Sequence, residues 1–295
     1  MERLELSETT IQGFFPERTR NSHKFTNGYV TVIAGSCQFP GSPRLTAHAA
    51  ARVGAGGVIT LIPESIRYTS AAFYPEIIVW ELKEHHGQLT HASAFEKFNT
   101  AQERSRAVLI GCGMGREDET RHFIRECLLH TQKPCVLDAD ALYTLAILGE
   151  GFIIEHARQN WILTPHAGEL KRLLDAFGYT LGKDIVQKLA IKWNCTIVLK
   201  GFPTVIYMPN GTFFENPTGN PAATTAGCGD VLAGIIAGLA AQGQALEKAV
   251  IGGVYLAGKV ADDYILETKA HSLLASDIIE RLPVALGKIL ASTPV

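Results

Sequence analysis

A glycine-rich stretch at residues 219–230 (GNPAATTAGCGD) has the composition of an anion-binding turn and ends in a carboxylate, Asp230. A helix is predicted directly after it, over 231–242. Glycine lets the backbone approach a ligand closely, and the unpaired N–H groups of a first helical turn favour negative charge. The stretch therefore predicts a phosphate-binding turn. The pattern leaves two interpretations of Asp230 open: an N-terminal cap of the helix, or a base that takes a proton from a hydroxyl beside the phosphate.

Polar or glycine-rich loops follow the predicted strands, where side chains from different strands could meet. Apolar β-rich runs alternate with helical patterns between Tyr29 and Lys200, which is typical of a mostly parallel sheet with helices on both faces. The loops that follow these strands are residues 35–36, 111–115, 138–140, 164–169 and 200–204. Ligands bind outside the carboxyl ends of the strands in such sheets, so we expect these loops to gather at one edge and form a site.

The predicted elements make up one α/β domain over residues 1–295. The predicted strands cover 29–34, 57–62, 107–110, 135–137, 161–163 and 196–199, and the predicted helices cover 45–53, 118–130, 231–242, 246–268 and 275–289, with Asp118 as a cap. After residue 200, the runs 204–207 and 211–215 flank Pro209-Asn210-Gly211, which predicts a hairpin and hence some antiparallel strands. Gly234 and Gly238 predict close packing of another element on their helix.

The bulk composition argues against several classes of function. The chain of 295 residues has a net charge of -2 and a pI of about 6.6, so no general attraction to nucleic acid or to an anionic membrane is expected. The polar N-terminus is unlike a secretory signal, and no apolar run reaches the length of a membrane span. The six cysteines form no CxxC pair, which favours reduced thiols in a cytoplasmic protein.

The glycine-rich stretch also carries a family resemblance. The sequence GCGD at 227–230, followed by VLAG, resembles the GTGD motif of the ribokinase-like superfamily, and the wider stretch resembles the NAD(P)H-hydrate dehydratases. Further segments resemble motifs of that family in the same order: His23-Lys24 with Gly35-Ser36 and Gly41, GAG at 54–56, GCGMG at 111–115, DADAL at 138–142, TPHAGE at 164–169 and KGFPT at 200–204. The matches extend from residue 23 to residue 242.

This resemblance implies a ribokinase-like fold and the ADP- or ATP-dependent repair of hydrated NADH or NADPH. In that reaction the ring hydroxyl is phosphorylated and then expelled as phosphate, which restores the dihydronicotinamide, and Mg²⁺ is the expected cofactor. The resemblance implies Asp230 as the catalytic base, and Ser42, Gly113, His166 and Asp230 as contacts to the hydrate. It implies that Lys200, Gly201, Phe202, Pro203, Thr204, Gly227, Cys228 and Gly229 hold the adenine nucleotide, and that Glu169 organises magnesium.

Several of these residues also have a purely structural explanation. Gly113 is also explained by a tight turn, His166 by a loop position near the start of the next helix, and Lys200 by a solvated charge at a strand end. Asp138 and Asp140 are also explained as N-terminal caps.

The chain departs from the usual family motif at several positions. Ser42 stands where Ala is usual and Phe39 where Tyr is usual, and both are expected to alter the contact with the substrate. Ala222 and Ala226 replace glycines. Cys228 replaces a threonine and removes a hydroxyl, but it keeps the backbone N–H that would bind the anion.

Two other functions stay open at this point. A small-molecule kinase of the same fold, acting on a sugar or a vitamin precursor, would use the same turn. Asp230 counts against thiazole and pyrimidine kinases, which usually have Cys there, and the loop 166–169 counts against sugar kinases. A non-catalytic nucleotide sensor would bind nucleotide without turnover.

The expected partners also come from the resemblance. In this family the dehydratase is often fused behind an epimerase domain. Because the motifs begin near His23, we expect no epimerase domain in this chain and a separate epimerase as its pathway partner. Family resemblance and the Gly/Ala-rich helix over 231–242 favour a homo-oligomer.

Overall fold

Apolar β-rich runs build a central sheet in a computed structural model that describes residues 2–71, 75–85, 88–89, 91–182 and 184–291. The strands are β1 (Glu2–Arg3), β2 (Tyr29–Ile33), β3 (Gly57–Pro63), β4 (Ile78–Leu82), β5 (Glu84–His85), β6 (Gln88–Leu89), β7 (Ala107–Ile110), β8 (Cys135–Leu137), β9 (Trp161–Leu163), β10 (Thr196–Leu199), β11 (Val205–Tyr207) and β12 (Thr212–Glu215). The α-helices are α1 (Glu8–Gln12), α2 (Ser42–Arg52), α3 (Arg67–Ala71), α4 (His91–Arg104), α5 (Asp118–His130), α6 (Asp140–Leu148), α7 (Glu150–His156), α8 (Ala167–Ala176), α9 (Ile185–Lys192), α10 (Cys228–Ala241), α11 (Leu246–Thr268) and α12 (Ala275–Ala291).

The main sheet has the strand order β1-β12-β11-β10-β9-β8-β7-β2-β3-β4. From β10 to β4 every neighbouring pair is parallel, whereas β11 runs antiparallel to both β10 and β12. Gly211, with a φ of 94°, closes the hairpin between β11 and β12. The predicted mostly parallel sheet with antiparallel strands after residue 200 is therefore confirmed.

Both faces of the sheet are covered by helices. In β7, Ala107 and Leu109 enter a core shared with α2, α10, α11 and α12, whereas Val108 and Ile110 enter a second core shared with α4, α5, α6, α8 and α9. Side chains alternate along a strand, so a strand that is buried on both faces must be apolar throughout. The continuous apolar runs in the sequence have this physical cause.

Close packing of α10 on α2 brings the first turns of these two helices together. A Cβ on Gly234 would lie 2.3 Å from the carbonyl oxygen of Thr46, and one on Gly238 would lie 2.6 Å from that of Ala50. The interpretation of these two glycines as packing residues is confirmed. The contact surface of α10 is used within the chain, so it gives no support to the expected homo-oligomer.

Two carboxylates predicted as helix caps do not occupy cap positions. α10 begins at Cys228 and its N-cap is Gly227 (φ 89°), a conformation that glycine adopts readily, so Asp230 lies within the first turn. The N-cap of α5 is Glu117, and Asp118 is the first residue of that helix.

The cap interpretation is also wrong for the two aspartates after β8. The N-cap of α6 is Ala139, with a φ of 47°, so neither Asp138 nor Asp140 caps the helix. Both carboxylates bind other groups, as described below.

None of the helices in the described part of the chain combines the length and the apolar composition that crossing a bilayer would require.

Candidate functional site

The loops after β7, β8, β9 and β10 meet at the carboxyl edge of the sheet, as the sequence predicts. Nζ of Lys200, after β10, lies 2.7 Å from Oδ1 of Asp138, after β8. The same oxygen accepts a hydrogen bond of 2.8 Å from the hydroxyl of Thr164, after β9. The backbone N–H of Gly115, after β7, donates to Oδ2 of Asp140 at 2.9 Å. Hydrogen bonds and an ion pair therefore join the four loops into one site.

Lys200 is the buried cation of this site. Its side chain is 18% exposed and lies between the carboxylates of Asp138, at 2.7 Å, and Glu169, at 3.7 Å. Burial opposes the charge on Lys200, but these two carboxylates outweigh it, so the pKa of Lys200 lies above its ordinary value. The interpretation of Lys200 as a solvated surface charge is therefore wrong.

Asp230 lies in the first turn of α10 beside two hydrogen-bonding partners. Burial raises the pKa of its carboxyl to about 6, while hydrogen bonds with Ser42 and Cys112 limit the rise. Asp138 adds to the rise because two like charges oppose each other, and Lys200 reduces it. Asp230 is thus a carboxylate whose pKa is close to neutrality, as a general base requires.

Cys112 is a buried thiol between the two aspartates. Its Sγ lies 3.7 Å from Oδ2 of Asp138. Burial and the charges of Asp230 and Asp138 raise the pKa of this thiol well above its ordinary value, so it stays protonated. Potential ligand atoms of Cys112, Asp138 and Asp230 lie within 4.8 Å of one another. A protonated thiol is a poor metal ligand, and Asp138 already binds Lys200, so we interpret this group as a hydrogen-bonded cluster.

His166 caps helix α8 and fixes the position of Glu169. Its Nδ1 accepts hydrogen bonds from the backbone N–H groups of Gly168, at 3.0 Å, and Glu169, at 3.3 Å. The backbone N–H of His166 donates in return to Oε2 of Glu169 at 2.9 Å, which completes a capping box. His166 therefore lies in the loop at the start of the next helix, as its structural interpretation expected, and there it caps that helix.

Two cavities lie on either side of the turn 227–230. The larger one, of about 810 Å³, is lined by the predicted site residues Ser42, Gly113, Gly227 and Asp230. The smaller one, of about 300 Å³, is lined by the predicted nucleotide-site residues Lys200, Gly201, Phe202, Thr204, Cys228 and Gly229. Pro203, His166 and Glu169 line neither cavity, and Gly227 lies on the larger cavity instead of the nucleotide side.

Both the backbone conformation and the surroundings require glycine at position 113. Its φ is 64°, and a Cβ there would lie 2.8 Å from the hydroxyl oxygen of Ser42 and 2.6 Å from Cβ of Phe39. Gly113 therefore both forms a tight turn and lines the wall of the larger cavity. Ser42 and Phe39, the two departures expected to affect the substrate, both line the larger cavity.

The loop 216–220 of the smaller cavity is held by helix α11. The carboxylate of Asp262 accepts hydrogen bonds from the backbone N–H of Gly219, at 2.9 Å, and from the side-chain amide of Asn220, at 2.8 Å. The hydroxyl of Thr218 donates to the carbonyl oxygen of Tyr255 at 2.9 Å. Asp262 lies 43 residues from Gly219 along the chain, so no local pattern in the sequence marks it as part of the site.

Asp138 and Cys112 are two further members of the site that were not among the predicted site residues. The position of Asp138, directly after a buried strand, was a usable signal, but a cap explained it equally well. Cys112 gave no signal from the residue type alone, since buried free cysteines are common.

The fold and the site together define a ribokinase-like protein: a mostly parallel sheet covered on both faces, with a glycine-rich turn opening a helix at its carboxyl edge. A solved ribokinase-like superfamily protein from Enterococcus faecalis has a TM-score of 0.84 and 26% identity, over 98% of this chain and 96% of its own. The ADP/ATP-dependent NAD(P)H-hydrate dehydratase of Bacillus subtilis, co-crystallised with ATP/Mg²⁺, has a TM-score of 0.76 and 29% identity, over 96% of this chain and 97% of its own.

Comparison of the sequence then gives the family. A family model described as NAD(P)H-hydrate dehydratase matches residues 30–284. The ADP-dependent (S)-NAD(P)H-hydrate dehydratase of Neisseria meningitidis is 35% identical, over 90% of this chain and 86% of the relative. The bifunctional NAD(P)H-hydrate repair enzyme of Moorella thermoacetica is also 35% identical, over 93% of this chain and 52% of the relative. The chain belongs to the NAD(P)H-hydrate dehydratase family, and it spans about half the length of the bifunctional relatives that it matches.

Proposed function

We propose that this chain removes water from hydrated NADH or NADPH and uses ADP or ATP to drive the reaction. The observation that carries the proposal is the position of Asp230 on the turn between the two cavities. Asp230 lines the larger cavity, whereas its neighbour Gly229 lines the smaller one together with Lys200. A hydroxyl in the first cavity and a phosphate in the second would therefore meet at Asp230.

The proposed chemistry begins with proton transfer to Asp230. As the ring hydroxyl loses its proton, its oxygen bonds to the terminal phosphorus, and the bond from that phosphorus to the rest of the nucleotide breaks. ADP would leave AMP, and ATP would leave ADP. The ring C–O bond then breaks and releases phosphate, with electrons supplied by the ring nitrogen. Loss of a proton from the adjacent carbon restores the dihydronicotinamide.

The turn and Lys200 would stabilise the charge of the transferring group. The backbone N–H groups at the start of α10 have no partner within the helix and favour an anion. Nζ of Lys200 would lie 3.3 Å from a Cβ placed on Gly229, so the cation is directly beside this turn. Fixed charges and dipoles of this kind act without reorganisation during the reaction. The backbone N–H of Cys228 donates to the carbonyl oxygen of Thr225 at 3.3 Å, so it would have to exchange this bond for one to the anion.

We propose magnesium as the accompanying cation, supported by the co-crystallisation of the Bacillus subtilis relative with ATP/Mg²⁺. Mg²⁺ prefers oxygen ligands and is usually held by one or two carboxylates together with phosphates and waters. Glu169 is the carboxylate that the family resemblance supplies for this role; it is fixed by the backbone N–H of His166 and lies 3.7 Å from Nζ of Lys200, outside both cavity linings. When bound, the ion neutralises phosphate charge.

The location and partners of the chain are further proposals. The six cysteines, all of them free thiols, support a cytoplasmic location. An epimerase partner is supported by the names of the bifunctional repair enzymes among the relatives. A homo-oligomer rests on the family resemblance alone.

The test is recovery of the near-UV absorbance of the dihydronicotinamide when purified protein is mixed with hydrated NADH, magnesium, and either ADP or ATP. We expect nucleotide-dependent recovery. Asp230→Asn should reduce the rate by about 10²–10⁴-fold, the usual contribution of a general base, and should still bind ADP. Asp118→Asn, the same change at an exposed helix start, is the matched control.

Each alternative function has its own signature in this test. Nucleotide consumption with a sugar or vitamin precursor, and no recovery with the hydrate, would show a kinase. Tight ADP binding without any turnover would show a nucleotide sensor.

A further inference from the structure

The larger cavity poses an electrostatic problem for the substrate proposed above. Glu117, Asp140 and Asp230 line it and are acidic, and Arg116 is the single cation among the described lining residues. Hydrated NADH carries a diphosphate with two negative charges. Like charges repel strongly where water is partly excluded, so the position of this cation decides where the diphosphate can lie.

Arg116 is held by one edge of its guanidinium. Its Nε donates to Oδ1 of Asp140 at 3.0 Å, and its Cζ lies 4.5 Å from the centroid of the Tyr143 ring. Within the described ranges, its Nη1 and Nη2 make no hydrogen bond with a protein acceptor. The side chain is 53% exposed. Four N–H groups of Arg116 are thus available to a ligand.

The partner carboxylate of Arg116 is itself fixed. Asp140 begins helix α6, and its Oδ2 accepts the backbone N–H of Gly115 at 2.9 Å while its Oδ1 binds Arg116. The guanidinium is therefore already oriented before a ligand arrives, which reduces the conformational entropy lost on binding.

A second guanidinium strengthens the positive potential at this position. Cζ of Arg172, on helix α8, lies 5.7 Å from the centroid of the same Tyr143 ring. No carboxylate pairs with Arg172 among the residues that the structure describes. Two guanidinium groups lie beside one ring, and Asp140 is the carboxylate that pairs with one of them, so this part of the site favours an anionic ligand more than the acidic remainder of the cavity does.

We propose that Arg116 binds the diphosphate of the hydrated dinucleotide and makes the site specific for substrates that carry it. This inference rests on the proposed function. The planar guanidinium can donate two parallel hydrogen bonds to one phosphate, which a lysine cannot do. Asp230 then acts on the nicotinamide end while Arg116 holds the phosphate end of the same molecule.

The test compares Arg116→Gln and Arg116→Lys with wild-type protein. Arg125→Gln is the matched control, because Arg125 lies on the surface of α5 outside the cavity. Binding of NADH, the reaction product, is measured by fluorescence titration, and KM is measured for hydrated NADH. Loss of a charged hydrogen-bonding group should weaken NADH binding and raise the KM for hydrated NADH, each by about tenfold or more in Arg116→Gln. The changes should be smaller in Arg116→Lys and absent in Arg125→Gln. ADP affinity should not change.

A phosphate-free substrate separates phosphate binding from general damage to the site. Hydrated reduced nicotinamide riboside should react equally with wild type and Arg116→Gln. Equal losses with the riboside and the dinucleotide would overturn the proposal, as would unchanged NADH affinity. A loss that is about tenfold larger for hydrated NADPH than for hydrated NADH would assign Arg116 to the extra ribose phosphate and overturn the diphosphate assignment.

The NADH titration also separates this inference from the proposed function. Weaker NADH binding in Arg116→Gln, in a protein that shows no turnover, would support the inference and refute the dehydratase. Wild-type NADH affinity in Arg116→Gln, in a protein that does turn over the hydrate, would refute only the inference.

Discussion

Replacement of Ser42 by alanine, the residue usual in the family, should move the pH dependence of the reaction. The hydrogen bond between Ser42 and Asp230 is one of the interactions that keep the pKa of Asp230 as low as about 6. A hydrogen bond to a charged group contributes about 1.5–3 kcal/mol, and one pKa unit corresponds to about 1.4 kcal/mol. Complete loss of this hydrogen bond would therefore raise the pKa of Asp230 by about one to two units. Water entering the cavity would replace part of the hydrogen bond. We expect a rise of about one unit.

The sign of the effect follows from the proposed role of Asp230 as a base. A base acts in its ionised form, so the rate of wild-type protein should fall as the pH drops through about 6. In Ser42→Ala the fall should begin about one unit higher. Below this range the variant should be about tenfold slower than wild type, and at alkaline pH the two should be equal.

The assay is the initial rate of dihydronicotinamide recovery between about pH 5 and pH 9, with hydrated NADH well below its KM and nucleotide saturating. Thr46→Val is the control, because the Thr46 hydroxyl lies one helical turn further along α2 and donates to the carbonyl oxygen of Ser42. If the rate falls at the same pH in Ser42→Ala and in wild-type protein, Ser42 does not lower the pKa of Asp230. A wild-type rate that does not fall in acid would refute the role of Asp230 as the base.

Three further changes test other parts of the structure. Asp262→Asn should weaken ADP binding, measured by calorimetry, by about tenfold and should change kcat less. The reason is that an amide cannot accept both of the hydrogen bonds that hold the loop of the smaller cavity. An ADP affinity equal to that of wild-type protein would contradict this. Lys200→Ala should also weaken ADP binding. It should lower the denaturation midpoint because the carboxylate of Asp138, 3% exposed, loses its ion pair. An unchanged ADP affinity by calorimetry would show that Lys200 is not part of the nucleotide site. Gly234→Ala should lower the free energy of unfolding in urea by about 1–3 kcal/mol, because its Cβ would collide with the backbone of α2. Gly287→Ala is the control: a Cβ there meets open space, so the free energy of unfolding should rise by up to about 1 kcal/mol. Equal effects of the two glycine substitutions would show that the close approach of the two helices is not the cause.

The central elements of the fold were predictable because their burial leaves a direct pattern in the sequence. The strands at 135–137, 161–163 and 196–199 have the predicted bounds, since they are largely apolar and largely buried on both faces. β4 was missed because it lies at the edge of the sheet, where partial exposure removes the continuous apolar pattern. β1 was missed because two residues are too short for any pattern.

Helix starts and side-chain partners were less predictable than the helices themselves. α2 begins at Ser42, three residues before the predicted start at 45, because Pro43 is compatible with a first helical turn. Its position places the Ser42 hydroxyl against Asp230. Distances between loops that are far apart in the chain, such as the ion pair of Lys200 and Asp138, depend on the closure of the whole sheet. Local spacing does not contain that information.

The separation of the two cavities has a kinetic consequence. Among the described residues, the two linings have no member in common, and the turn 227–230 contributes residues to both. For the proposed reaction, a ligand in one cavity would leave the wall of the other uncovered, so we expect the dinucleotide and the adenine nucleotide to enter in either order. Both would have to be present before phosphorus and oxygen meet, which would give a random sequential mechanism through a ternary complex. We expect the products to depart independently as well.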